Sequence, residues 1–342
     1  MAIGTTEVLS TPATQSAGPW RTAWRDLRRN KVAMGSIFVL IVIFAACLAA
    51  PIYASSVVHL DAFTSNLDGT FTVGGVTGPV MQSSDTGLGL GVNPIGPTWL
   101  WNNFFLGADN QGRDVMSRLL YGGRNSLVIG LVSAILCCTL AGLIGIISGY
   151  FGGGLDAVLS RGLDVLWAFP VYLLAICLSV VLINQSVTIG PITLNSGSII
   201  LPILIIGVIY VPYVARPIRG QVMSLREREF VQASVGAGAT DARLLRREIL
   251  PNVLPTLIVF LPLMTAINML TESALSFLSI GVQPPDASWG TIINDGVGLL
   301  YTRPMVAIAP GVMLAITAVA LNLLGDGVRD ALDPKARLRG AV

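Results

Sequence analysis

The chain has one histidine, His59, and four cysteines, Cys47, Cys137, Cys138 and Cys177. A histidine-based metal cluster and a histidine-assisted triad are excluded by count. The thiols lie inside apolar runs without disulfide or metal-knuckle spacing, so they read as reduced, small hydrophobes. Its two lysines, Lys31 and Lys335, stand outside any G-x-x-x-x-G-K-S/T context, so the sequence carries no phosphate loop for ATP. Asp109 and Asp114 flank a Gly112 turn, but the glutamate that closes a calcium loop is missing. They are expected to cap backbone N–H groups or to pair with Arg113 and Arg118, at the head of an interfacial amphipathic helix.

Two sets of residues remain. Asn268, Thr271, Glu272 and Ser273 are polar groups at the end of an apolar run, and polar groups at membrane depth are candidates for a solute pathway. Glu272 reads equally as a capping or subunit-interface carboxylate. The second set is the charged loop from Arg216 to Pro251. Its small residues from Ala233 to Ala239 permit close approach of another backbone, and Gly238 can take the positive φ that ends a helix. A short helix, Thr240 to Arg247, is expected next, with Thr240 or Asp241 as its N-cap. On it Ala242, Leu245 and Ile249 share one side, and Arg243, Arg246 and Arg247 another. This gives an apolar seam for the bundle or a groove, and a basic rim for a partner. Anionic lipid would account for the charge alone. It does not call for a helix, a glycine, a second helix and Leu250-Pro251.

The elements that must hold these residues are membrane helices. Hydrophobic residues make up 53% of the 342 positions and charged residues 12%, about half the share usual in soluble domains. The net charge of +2 gives no reason to invoke nucleic acid. A spanning helix needs about 20 mostly apolar residues. Met34 to Pro51, Asn125 to Ile147, Val165 to Ile183, Ile199 to Val214, Val253 to Leu270 and Met305 to Leu324 approach that length. Placing the N-terminus inside leaves just Arg113, Arg118, Arg124 and Arg303 outside among 21 basic residues, which makes both termini cytoplasmic. The first span follows a long charged tail and precedes five others, as an uncleaved anchor does, although Phe44-Ala45-Ala46-Cys47 resembles a lipobox. Pro170, Pro202, Pro212, Pro255, Pro262 and Pro310 lie in or beside spans, which suits a bundle around a pathway. The polar stretch from Ala54 to Leu106 is expected to form a small extracellular hairpin or cap, with Thr70-Phe71-Thr72-Val73 as a strand, or else a passive linker. The divisions are a tail over 1–33, a first span over 34–53, an insertion over 54–106, a five-span core over 107–324 containing loop 216–251, and a tail over 325–342.

The loop resembles that of ATP-binding-cassette importer permeases, whose motif is E-A-A, three residues, G, nine residues, I-x-L-P. Gln232-Ala233-Ser234, Gly238 and Leu250-Pro251 stand in this register, with Gln232 for Glu, Ser234 for Ala and Glu248 for Ile. Other stretches are similar to the second permease subunit of the dipeptide, oligopeptide and nickel branch. They include Leu106 to Leu127, Gly149-Tyr150-Phe151-Gly152-Gly153 with Asp156, Asp164 with Ala168-Phe169-Pro170, Glu272 to Leu278, Gln283-Pro284-Pro285 with Trp289-Gly290, and Gly325 to Pro334. The resemblance implies an all-α polytopic membrane protein of about six transmembrane helices, the type I importer permease fold, in the inner membrane. It implies a non-catalytic permease, with ATP and magnesium bound by two partner ATPase subunits. A paralogous permease subunit, an extracytoplasmic substrate-binding protein and membrane lipid are its other partners.

It also implies that Gln232, Ala233, Gly238, Ala239, Thr240, Asp241, Arg243, Leu244, Arg246, Arg247, Leu250 and Pro251 couple to an ATPase. Peptide is the commonest cargo of this branch, with nickel or another small solute as the alternative. An ion-coupled secondary transporter would need inverted repeats and paired intramembrane charges. A membrane enzyme would need a convergent His, Cys or carboxylate cluster. Neither pattern is evident.

Overall fold

Long apolar runs in a chain this poor in charge satisfy their backbone groups within themselves, as helices do. The computed structural model describes residues 19–73, 75–83, 91–101, 103–183, 187–189, 192–194 and 199–332. In chain order its helices are α1 (Pro19–Arg29), α2 (Lys31–Leu48), α3 (Ala50–Tyr53), α4 (Val115–Phe151), α5 (Gly153–Ala168), α6 (Val171–Ile183), α7 (Ile200–Ile209), α8 (Val211–Arg226), α9 (Glu229–Gly236), α10 (Asp241–Leu244), α11 (Leu250–Phe277), α12 (Trp289–Val297) and α13 (Met305–Leu332). Two π turns, Ala54–Val58 and Leu245–Ile249, interrupt the α geometry. Four stretches are long and apolar enough to cross a membrane as single helices, and the bent pairs α5–α6 and α7–α8 bring the number to six if each is one span.

Four differences from the expected boundaries have local causes. The third span does not begin at Val165: Phe169 is extended, Pro170 follows it, and the axis turns by 88° between α5 and α6. The residues after Val115 form no separate interfacial helix but run straight into the second span as one 37-residue helix. The fourth span bends by 42° at Tyr210, where Pro212 stands in the first turn of α8. At the chain ends, α1 folds within the expected N-terminal tail, where Leu27 packs with Ala33 and Ala331. Helix α13 runs eight residues past Leu324. Residues 333–342 lie outside the described residues, with Lys335, Arg337 and Arg339.

Helix α4 is the axis of the bundle and packs against α7, α8, α11 and α2. Its contact with α8 is close enough to require glycine. A Cβ on Gly145 would come within 2.8 Å of the Ala215 carbonyl, and one on Gly149 within 2.7 Å of the Arg219 carbonyl. Around this seam Ile129, Cys137, Ile206, Val214, Ile218, Ile249 and Met264 form a core that is almost fully buried.

The insertion is folded. Strands β1 (Thr70–Val73) and β2 (Val76–Pro79) pair antiparallel with Thr70 opposite Pro79, and β3 (Met81–Ser83) pairs with β4 (Val92–Pro94). A third hairpin, β5 (Val187–Ile189) with β6 (Ile192–Leu194), joins α6 to α7. Val80, Ile95, Phe104 and Ala108 give the insertion a small core of its own. Its described residues are folded, with a strand at Thr70–Val73 as expected.

Candidate coupling site

The loop is built from the end of α8 outward. Gln232 Nε2 donates to the Arg226 carbonyl over 2.8 Å, satisfying one of the acceptors that the end of α8 leaves open. A carboxylate there has no proton for that bond. Helix α9 closes with a Schellman turn: Gly238 N–H donates to the Val235 carbonyl and Ala239 N–H to the Ser234 carbonyl. Gly238 has φ +78°, and nothing lies within 4 Å of where its Cβ would be. The need for glycine is therefore conformational, and the turn is open to a partner.

The restart follows the sequence as far as its N-cap, Thr240, in extended geometry. The expected end at Arg247 and the expected seam are both corrected. The helix does not stop: α10, the π turn and α11 run on as one stretch from Asp241 to Phe277. The π turn inserts an extra residue, with the Leu250 N–H donating to the Leu245 carbonyl five residues back. Leu244 and Ile249, five apart, thereby fall on one buried side with Leu245 packed beside them, while Ala242 is exposed. Gln232, Ala233, Gly238, Thr240, Asp241, Arg243, Arg246, Arg247 and Pro251 are exposed, and Ala239 and Leu250 half-buried. Ala242, Arg243, Arg246 and Arg247 line a basic recess of about 690 Å³.

Contacts without an assigned role in the sequence brace this loop. Tyr150, at the last turn of α4, donates its hydroxyl to Asp241 over 2.7 Å, and Arg226 donates to the Tyr150 carbonyl over 2.8 Å. Arg219 of α8 grips Asp156 of α5 with two bonds of 2.6 Å, and Ser148 and Ser160 donate to the same carboxylate. Asp156 sits in the first turn of α5 and Arg219 midway along α8, a pairing that no single helix period reveals.

The four pathway candidates lie in helix contacts. Asn268 meets Ser133 of α4 at 3.0 Å, and Thr271 meets the Tyr210 hydroxyl at 2.9 Å. Ser126 and Ser276 donate to Glu272, with Ser273 at 3.4 Å. All four are at most 4% exposed. In this conformation Asn268 and Glu272 tie α11 to α4, Thr271 ties it to Tyr210 between α7 and α8, and Ser273 meets Glu272 within α11. At the far end, Asp109 pairs with Arg113 and Arg118 as expected, and Asp114 caps α4 through the Ser117 N–H. Asp295 of α12, which the sequence reading missed, joins both arginines.

A bundle of long apolar helices with an exposed glycine turn fits the family comparison. Residues 141–338 match the family described as binding-protein-dependent transport system inner membrane component, and residues 18–66 match the N-terminal TM domain of oligopeptide transport permease C. The chain belongs to this transport permease family. The permease is 36% identical to a Brucella suis biovar 1 protein named for peptide transport system permease, over 93% of both chains. It is 33% identical to the dipeptide transport system permease protein DppC of Bacillus subtilis strain 168, over 92% of this chain and 85% of that one. The oligopeptide transport system permease protein OppC of Haemophilus influenzae is likewise 33% identical, over 93% of this chain and 89% of its own. A solved inward-facing structure of the MetNI methionine ABC transporter covers 64% of the permease and 97% of its own chain, with TM-score 0.53 and 18% identity. That likeness is one of fold, the type I importer permease fold. The permease is thus a multi-pass membrane subunit of an ABC importer, which works with ATPase and substrate-binding components.

Proposed function

We propose that the permease forms half of a translocation pathway for dipeptides or oligopeptides, driven by ATP hydrolysed on other chains. The observation that carries this reading is the open Schellman turn at Gly238, continuous through α10 with the membrane helix α11. An ATPase seated against Gln232, Ala233 and Gly238–Arg247 can pull on a spanning helix directly. The peptide cargo is supported by relatives named for dipeptide, oligopeptide and glutathione transport. In this reading the assembly holds a paralogous permease, two ATPase subunits binding ATP and magnesium, and an extracytoplasmic binding protein. Both termini and the loop face the cytoplasm, and the insertion faces outward.

The test is purification of a tagged permease from its own membrane, followed by reconstitution and uptake of labelled dipeptides, tripeptides and nickel. ATPase chains are expected to copurify, with uptake of peptide requiring ATP inside the compartment that bears the loop. Uptake by this chain alone on an ion gradient would overturn the proposal. Uptake of nickel but not peptide would replace the cargo and leave the coupling intact.

A further inference from the structure

Between Gly91 and Leu106 the insertion has no charged residue, yet its tip presents Trp99, Leu100 and Trp101 to the outside, 58%, 44% and 68% exposed. Three consecutive exposed apolar side chains are unusual on a surface in contact with water. The tip is held in place. Trp99 N–H donates to the Phe105 carbonyl over 3.3 Å, and both tryptophans meet the Phe105 ring edge-on at 5.7 and 5.6 Å. Trp99 accepts φ +54°, a costly backbone conformation for a bulky residue, to point as it does.

The position of this tip relative to the bundle is fixed by Trp101, whose ring meets that of Tyr53 at 5.8 Å. Tyr53 closes the α-helical part of the stretch that begins at Lys31, just before the π turn Ala54–Val58, and the Ala49 and Tyr53 amides carry its hydrogen bonds across the α2–α3 junction. At 1.5 Å per residue that stretch spans roughly 33 Å, close to the hydrocarbon core of about 30 Å. Along it Ile41, Phe44, Leu48 and Ile52 form an exposed apolar stripe at helical spacing, while Tyr53, under the tip, is buried. Tryptophan and tyrosine concentrate where helices leave the hydrocarbon, because their rings are apolar and their N–H or O–H groups polar.

We propose that Trp99, Leu100 and Trp101 lie in the headgroup and upper acyl region of the bilayer and anchor the insertion to the membrane surface. The occupant is lipid, because the tip packs through Trp101 on Tyr53 against the end of a membrane helix that carries an exposed apolar stripe, and the stretch from Gly91 to Leu106 carries no charge for a protein partner to pair with. The inference rests on the membrane location of the chain and is independent of its cargo.

The test uses the whole transporter assembly in nanodiscs. Tryptophan fluorescence is compared in ordinary phosphatidylcholine and in phosphatidylcholine brominated near the glycerol or near the chain ends, for the native chain and for W99F/W101F. The signal lost in the double variant is the contribution of the tip. It is expected to fall at least twofold with shallow bromines and less with deep ones. An equal contribution in all three lipids overturns the proposal, whether the loop faces water or another subunit covers it. A Leu100→Cys variant in a Cys177→Ser background, carrying a nitroxide, gives a second reading that leaves both tryptophans in place. Greater accessibility to oxygen than to a water-soluble nickel chelate is expected, and the reverse order overturns the anchor.

Discussion

The hydroxyl of Tyr150 reaches Asp241 across 2.7 Å, so the last turn of the longest helix is tied to the first residue of α10. The tie crosses from the axis of the bundle to the open loop. Removing it with Tyr150→Phe leaves the ring packing and deletes one hydrogen bond to a charged group, about 1.5–3 kcal/mol in net terms. The expected outcome in proteoliposomes is peptide uptake reduced several-fold while ATP hydrolysis continues, measured as transported peptide per ATP. An unchanged ratio would remove Tyr150 from the coupling path.

Gly238 should tolerate substitution in the order in which residues tolerate left-handed backbone. Gly238→Asn is expected to retain most uptake, and Gly238→Val to abolish it while the assembly still forms. The strain is about 1–2 kcal/mol for an ordinary residue and greater for a β-branched one. Because open space surrounds the position, a steric clash within the chain is no rival explanation. Wild-type uptake by Gly238→Val would sink the coupling proposal.

Replacing Gln232 with Glu restores the residue that the importer-loop motif calls for and removes the donor to the Arg226 carbonyl. A loss of about 1 kcal/mol in local stability is expected. Faster amide exchange over Glu229–Gly236, read by hydrogen–deuterium exchange, would register it. Unchanged exchange would show that the amide bond contributes nothing to the loop.

At the other end of the bundle, Asp109→Asn should be the most destabilising of these changes. Asp109 is fully buried between Arg113 and Arg118, and its neutralisation leaves two guanidinium groups sharing Asp295. Breaking a buried pair costs about 3–5 kcal/mol. The thermal unfolding midpoint of the purified assembly should fall by several degrees, and an unaltered midpoint would show that Asp295 alone suffices.

Much of this architecture was legible in the sequence because hydrophobicity and length alone decide a membrane helix. Met34–Pro51 lies within a few residues of α2 at both ends for that reason, and Val253–Leu270 falls inside α11, which runs on to Phe277. The turn at Gly238 was legible because a positive φ selects glycine. What was not legible depends on phase and on neighbours. The apolar seam was assigned to Ala242 because a 3.6-residue period was assumed, and the π turn shifts that period by one residue. One helix shows the polar side of Asn268 and Glu272 without showing their α4 partners, Ser133 and Ser126, so the sequence left Glu272 open between a pathway group and an interface carboxylate. Asp156 and Arg219 lie 63 positions apart, and only the fold brings them together.

The π turn between Leu245 and Ile249 has a mechanical meaning. A helix holding one surplus residue works as a slip joint in a connecting rod. Relaxing it to α geometry rotates everything on its loop side by about 100° relative to α11, since each residue of an α-helix advances one step of 3.6 per turn. Arg243 and Asp241 would swing around the rod while Leu250–Phe277 stayed in place. Those five residues therefore set the loop's face in a rotational phase that an unbroken α-helix would not give it.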